Sequence, residues 1–289
     1  MQFLKNNDMK KFFKIIAILM TLIVVLCGCE NNINLDSENN SDEDTEQTFF
    51  SLTREDSRIE FFTPNEINVY QQSIVKIEEG GDYILQGETK GTVVVDAEDQ
   101  IVHLFLNDLN IQSTDGPAIY IKSAGKVIIT VMEGTENRIS DNGRYSDEEI
   151  NACIYSVCDL TINGSGKFYV YGYYKDAIHS KDLVKIIDTD IYCQSKRDAI
   201  HANDGIYVTG ANCLIEAEGK GIYTSKSGKN NKGYVEIENS KISIVAGEYA
   251  IDSAAGIISH GGTLYLKGIY GNTNAVEEIQ LDEGSLQNE

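Results

Sequence analysis

Six short segments share a small residue followed by isoleucine: GPAIYIKS, NACIYSVC, KDAIHSKD, RDAIHAND, GKGIYTSK and EYAIDSAA. Their isoleucines, Ile119, Ile154, Ile178, Ile200, Ile222 and Ile251, are separated by 35, 24, 22, 22 and 29 residues. A basic period near 22 with loop-like insertions is the signature of stacked structural repeats. The insertions, ENRISDNGRYSDEE before Cys153 and KSGKNNKG at residues 226–233, have turn composition and leave the isoleucine row intact. Between the repeats lie short alternating runs such as KVIITV, GKFYVYG and KISIVAG, broken by Gly, Asn and Asp, with only two prolines in the chain. The pattern predicts an all-β protein, a right-handed parallel β-helix (solenoid) with turns of about 22 residues, in which inward residues stack on the same position of the next turn. An antiparallel sandwich also has many short strands, but it has no need of the repeated Ala-Ile pair.

The ends read differently. Lys5, Lys10, Lys11 and Lys14 precede an apolar run of a dozen residues, too short for a membrane span and right for a signal peptide. The run ends in LCGC, which resembles a bacterial lipobox, so residues 1–28 are expected to be removed and Cys29 to carry lipid; the alternative is an ordinary signal peptide with unrelated cysteines. Two acyl chains suffice for stable tethering, so the protein is expected at the outer face of the cytoplasmic membrane. Residues 29–48 are acidic and polar, a flexible linker. Residues 49–79 are expected to cap the N-terminal turn, residues 80–271 to form the β-helix, and residues 272–289 to be an acidic tail. Four Lys and one Asp leave with residues 1–28, taking the formal charge from −21 to −24 (20 basic against 44 acidic side chains). That acidity argues against nucleic acid as a partner and for solubility or cation binding. Cys153, Cys158, Cys193 and Cys213 have no zinc-type spacing; disulfides and buried thiols both remain open.

The stretch from GGDYILQGETKGTVVVDA through DLNIQSTDGPAIYIKSAGKVIITVMEGTENRISD to LTINGSGKFYVYGYYKDAIHSKD resembles one bacterial family over roughly Ile74 to Gly271. These are the calcium-associated, carbohydrate-binding β-helix proteins of clostridial cell surfaces, similar in fold to family 9 polysaccharide (pectate) lyases. The resemblance implies binding of cellulose- or pectin-like polysaccharide with bound Ca²⁺. The family usually writes Asp-Gly-Ile at its turn corners; here Asp176 and Asp198 precede Ala, and later turns replace the acid by Lys220 and Tyr249.

A 22-residue turn stacks Asp176 near Asp198, His179 near His201 and Asp182 near Asp204, at a sheet spacing of about 4.8 Å. Carboxylates that close repel unless a cation or protons separate them, and hard cations take six to eight oxygens. Asp176 with Asp198 is therefore the first expected metal pair, and Asp182 with Asp204 and Asn203 the second; the competing reading has these aspartates capping turns through backbone N–H groups. His179 and His201 alternate with the inward isoleucines, so they should point outward, either to sugar hydroxyls or simply to solvent. In GKFYVYGYY, alternation puts Phe168 and Val170 in the core and Tyr169 and Tyr171 outside, as a sugar-stacking platform or as ordinary strand-face tyrosines. Lys181, Lys196, Arg197 and Lys220 lie near the acidic turns, and Lys196 or Arg197 would pair with a uronate. β-Elimination needs a neutral base, which a cluster of acids opposes, so binding by a monomer, without catalysis, is the expected function. A calcium-dependent lyase and a non-catalytic envelope adhesin or scaffold are the alternatives.

Overall fold

The structure, a computed structural model, describes residues 50–282 and 285–287. The expected signal peptide, the Cys29 expected to carry lipid and the expected acidic linker lie outside the described residues. All the regular structure described is β, and the strands of the described residues pair in parallel. The strands wind into a parallel β-helix with three faces.

Face 1 is a nine-stranded sheet: β2 (Ile74–Ile77), β4 (Thr92–Asp96), β6 (Ile119–Ser123), β9 (Ala152–Ser156), β12 (Asp176–Ser180), β15 (Ile200–Ala202), β18 (Ile222–Thr224), β21 (Tyr249–Ser253) and β24 (Gly271–Ala275). Face 2 carries β1 (Asn65–Asn68), β7 (Lys126–Val131), β10 (Leu160–Asn163), β13 (Leu183–Ile187), β16 (Gly205–Thr209), β19 (Tyr234–Glu238), β22 (Ile257–His260) and β25 (Ile279–Leu281). Face 3 carries β8 (Glu136–Ser140), β11 (Lys167–Gly172), β14 (Asp190–Ser195), β17 (Asn212–Ala217), β20 (Lys241–Ala246), β23 (Thr263–Gly268) and β26 (Leu286–Gln287). In the first two turns, β3 (Gly81–Thr89) and β5 (Ile101–Gln112) run through faces 2 and 3 without a break, and their register slips by one residue between Gln86 and Gly87 where the chain rounds the corner.

The isoleucine row predicted from the repeat is the register of face 1. Ile119, Ile154, Ile178, Ile200, Ile222 and Ile251 pair in succession, and all six are fully buried. Each such side chain contributes about 1.5–3 kcal/mol by leaving water. Corresponding rows line the other faces, for example Phe168, Ile191, Cys213, Ile242 and Leu264 on face 3. The four cysteines are free and buried, as expected of thiols that fill apolar rows: Cys193 stands between Val170 and Ile215.

Three expectations need correction. The solenoid starts earlier and ends later than residues 80–271, because β1 and β2 lie in the supposed cap and β24 to β26 in the supposed tail. The insertion ENRISDNGRYSDEE is loop only in its second part, since its first five residues form β8. Residues 50–62 do not cap the end of the helix; they lie lengthwise over the outer side of face 2 as a strap. Asp56 is buried there, accepting from Thr161 Oγ1 (2.6 Å), Lys126 Nζ (2.9 Å) and Lys185 Nζ (3.0 Å). Arg58 pairs with Asp82 at 2.7 Å, Phe61 packs edge-on against Phe105, and Phe50 N donates to Glu236 at 3.0 Å. The strap therefore spans the turns from β3 to β19, because polar and aromatic groups face outward there and need partners.

Candidate functional site

Most of the residues singled out in the sequence converge on face 1 and its two corners. Along the outer side of this face Tyr120, Tyr155, His179, His201 and Tyr223 follow one another in register. The two imidazoles stack nearly parallel, 3.9 Å apart at 8°. The turn spacing did bring His179 above His201, but neither presents itself to solvent: they are only 6% and 8% exposed. Neighbouring rings cover their faces, and Asn151, from the insertion between β8 and β9, receives the Nδ1 hydrogen bond of His179 at 2.5 Å. Burial, reinforced by His201, pushes the His179 pKa down to about 3. The expected contact of these histidines with sugar hydroxyls is not available.

At the corner entering face 1, Asp176 is completely buried. Its Oδ1 accepts from Asp198 N (3.1 Å) and Arg197 Nε (2.6 Å), its Oδ2 from Arg197 Nη2 (2.5 Å), and His201 Nδ1 lies 3.4 Å from Oδ2. Burial raises the Asp176 carboxyl, but the His201 and Arg197 contacts outweigh it and hold the pKa below the ordinary carboxylate value. Asp198 repeats the device one turn on, accepting from Lys220 N at 2.9 Å. Burial and the neighbouring Asp176 raise its pKa. The expected calcium between Asp176 and Asp198 does not fit. The Arg197 guanidinium, 3.6 Å from Asp198 Oδ2, already stands between the two acids, and their remaining oxygens cap backbone N–H groups. Asp176, His179 and His201 offer donor atoms within 4.8 Å of one another, yet parallel imidazoles cannot both aim a lone pair at one ion.

The corner leaving face 1 is different. Asp182 and Asp204 are stacked as predicted, with Asp204 N donating to Asp182 O at 3.1 Å. Asp159, one turn below, raises the Asp182 pKa together with burial, the larger cause, and Asp204. Lys232, from the loop between β18 and β19, pairs with Asp204. Asn203 does not join this group: it accepts from Ser225 Oγ at 2.8 Å and lies 3.5 Å from His179. Among the described residues, Asp176, His179 and His201 are the one group of three that brings donor atoms within 4.8 Å of one another, so Asp159, Asp182 and Asp204 form no closed carboxylate cage, and a cation at Asp182 and Asp204 would have to displace Lys232 and complete its shell with backbone oxygens and water.

The tyrosines lie elsewhere, on the outer side of face 3. Phe168 and Val170 point into the core, while Tyr169 and Tyr171 are half-buried outside. Strand pairing extends Tyr169 into a column: Arg138, Tyr169, Tyr192, Leu214, Ser243 and Tyr265 succeed one another across six turns. Arg138 lies over the Tyr169 ring at 4.4 Å; Tyr169 and Tyr192 are 6.2 Å apart, and Leu214 is 49% exposed. Tyr171 stacks on Tyr173 at 6.0 Å. Tyr192 and Leu214 were missed in the sequence, although counting 23 and then 22 residues on from Tyr169 finds them. Lys196 sits at the edge of this face, paired with Glu218.

A family model described as "carbohydrate-binding domain-containing protein" matches residues 71–287. The chain belongs to that family. A carbohydrate-binding domain-containing protein of Acetivibrio thermocellus is 30% identical over 257 residues, covering 86% of this chain and 88% of the relative. A solved structure described as a polysaccharide lyase-like protein from C. thermocellum, a gadolinium derivative, superposes with a TM-score of 0.73. It is 27% identical, and the match covers 77% of this chain and 98% of that one. Carbohydrate is thus the ligand class, on a polysaccharide lyase-like fold.

Proposed function

We propose that this chain is a lipid-anchored cell-surface protein that binds cellulose- or pectin-like polysaccharide through face 3, with calcium displacing Lys232 at the corner of Asp182 and Asp204. The observation that carries this reading is the column of Tyr169, Tyr192 and Leu214 beside Tyr171. Aromatic rings present a flat apolar surface to the C–H side of a sugar ring; Gln194, in register with Tyr171, and Asn212, which lines the same surface as Tyr169, Tyr192 and Leu214, supply amides for its hydroxyls. The sequence has no Trp, so tyrosine takes that part. Calcium would neutralise the acidic corner and bind oxygen-rich ligand groups there; no step of catalysis runs through it.

The lyase alternative needs a neutral base. Arg197 is held charged by hydrogen bonding and charge from Asp176, and the bond from Lys220 to Asp252 outweighs burial and raises the lysine pKa. Both are in the wrong protonation state to accept a proton, which favours binding.

Co-sedimentation of residues 29–289 with insoluble cellulose and with calcium pectate tests the reading. Retention is expected, reduced about tenfold by Tyr192→Ala, the loss of one stacking contact. Chelation, or Asp182→Asn with Asp204→Asn, is expected to abolish a calcium-induced rise in Tm. No retention on either polymer would overturn the binding reading, and an unchanged Tm with calcium would overturn the metal site.

A further inference from the structure

The column on face 3 does not end at Arg138. Arg138 pairs with Asn110, and Asn110 pairs with Glu88. Glu88 lines a groove of about 720 Å³ at the N-terminal end of the solenoid, formed with Tyr70, Gln71, Gln72, Lys90 and Asp115. This volume lies within the range of small-molecule sites.

The groove is rigidly built. Gln71 takes a left-handed φ of 58°, rare for a residue with a side chain. The turn is tied down on both sides: Gln72 N donates to Val69 O at 3.0 Å, and Thr89 Oγ1 donates to Gln72 O at 2.5 Å. Gly91 lets the next turn close over it, since a Cβ there would meet Ser73 O at 2.3 Å. Tyr70 and Ile74 are left 65% and 58% exposed. Exposed apolar faces above a floor of amides and hydroxyls match the two sides of a sugar ring: C–H surface and hydroxyl edge.

The charges select the type of sugar. The groove is lined by one cation, Lys90, and two carboxylates, Glu88 and Asp115, and the Asp115 carboxylate accepts from Ser146 N (2.9 Å) and Ser146 Oγ (2.5 Å). Further along, Arg138 pairs with Glu136 and Lys196 with Glu218. This path offers a polyuronate no unpaired cluster of cations, and a neutral chain meets no such penalty.

We propose that the groove at Tyr70 is a second subsite for the same glycan, so that a neutral polysaccharide lies along the solenoid axis from Tyr70 across Arg138 to Tyr169 and Tyr192. The inference rests on the binding function proposed for face 3 and adds a position, an orientation and a ligand class to it. Tyr70 and Tyr169 are four turns apart, about 19 Å at the usual strand spacing. A disaccharide therefore occupies one subsite, while a longer chain engages both.

The test is isothermal titration of residues 29–289 with cellobiose, cellohexaose and polygalacturonate. Cellohexaose is expected to bind more tightly than cellobiose. Tyr70→Ala should weaken cellohexaose about tenfold, the loss of one stacked ring, and bring it toward cellobiose. Tyr192→Ala should weaken both, and an unchanged circular dichroism spectrum certifies the fold of each variant. If Tyr192→Ala weakens cellohexaose and Tyr70→Ala does not, the groove is no subsite and the binding function stands. If wild type binds none of the three, the binding function itself is overturned. Preference for polygalacturonate in chelator would overturn the neutral class.

Discussion

Asp176 has no exposed surface, and its ionised state rests on a guanidinium, a backbone N–H and an imidazole from the turn above. The histidines around it work the other way: burial disfavours their charged form. Burial pushes the pKa values of His179 and His103, the latter buried under the strap and bonded to Thr130, down to about 3 from the ordinary 6.5. The unfolded chain therefore binds protons that the folded one refuses. The stability present above about pH 6.5 is lost as the pH falls toward 3, at roughly 1.4 kcal/mol per pH unit for each histidine. The carboxyls of Asp198 and Asp141, raised by burial, act in the opposite sense. Thermal melts should show a lower Tm at pH 5 than at pH 7.5, and His179→Gln should narrow the gap; equal Tm values at both pH values would refute this. The sequence carried the stacking of these residues, because spacing alone fixes register. It did not carry their burial, because the cover comes from Asn151 on an insertion and from Arg197, which reaches back across a turn. That Arg197 precedes Asp198 in KRDAI was a readable hint: a long cation one position before the stacked acid reaches the acid below it.

At the level of elements, the strap was the least legible part of the chain. Nothing in residues 50–62 repeats, and its partners are far off in sequence: Thr161 is 105 residues from Asp56 and Lys185 is 129. The strands were legible because each repeats its neighbour's pattern, whereas a strap answers only to the surface beneath it. Its anchor is Asp56. Burial pushes this carboxyl up, but hydrogen bonds from Thr161, Lys126 and Thr53 outweigh that and hold its pKa low. Asp56→Ala would leave Lys185, whose side chain is only 8% exposed, without its carboxylate. Removing one partner of a buried pair is expected to cost about 3 kcal/mol. Urea denaturation measures the cost, and limited proteolysis should cut within residues 50–62 in the variant well before wild type. A variant as stable and as protease-resistant as wild type would mean that the strap is held by its aromatic contacts alone.

For the molecule as a whole, the strap imposes something on the solenoid that the repeats do not. A β-helix is quasi-one-dimensional, each turn touching only its neighbours, so removing a whole turn leaves the remaining register intact. The strap breaks that independence between β3 and β19, because it is a single segment fitted to several successive turns. Two deletions of equal length separate the contributions. Excising residues 249–270 joins Glu248 to Gly271, the register partner of Tyr249, and lies beyond the last strap hydrogen bond at Glu236, taking from the strap only Ala255 and Ile258 of the apolar cluster on which Phe50 packs. Excising residues 177–198 joins Asp176 to Ala199 and recreates Asp-Ala-Ile-His at the junction. It also removes Lys185 and moves Glu236 one turn, about 4.8 Å, relative to Phe50. Both chains keep whole turns, so both should fold and retain a β-type circular dichroism spectrum. The second should melt at a markedly lower temperature, and it should also bind glycan less well, because Tyr192 leaves with the deleted turn. Equal melting temperatures would mean that the strap adds no coupling between turns and that stability is a plain sum over neighbours.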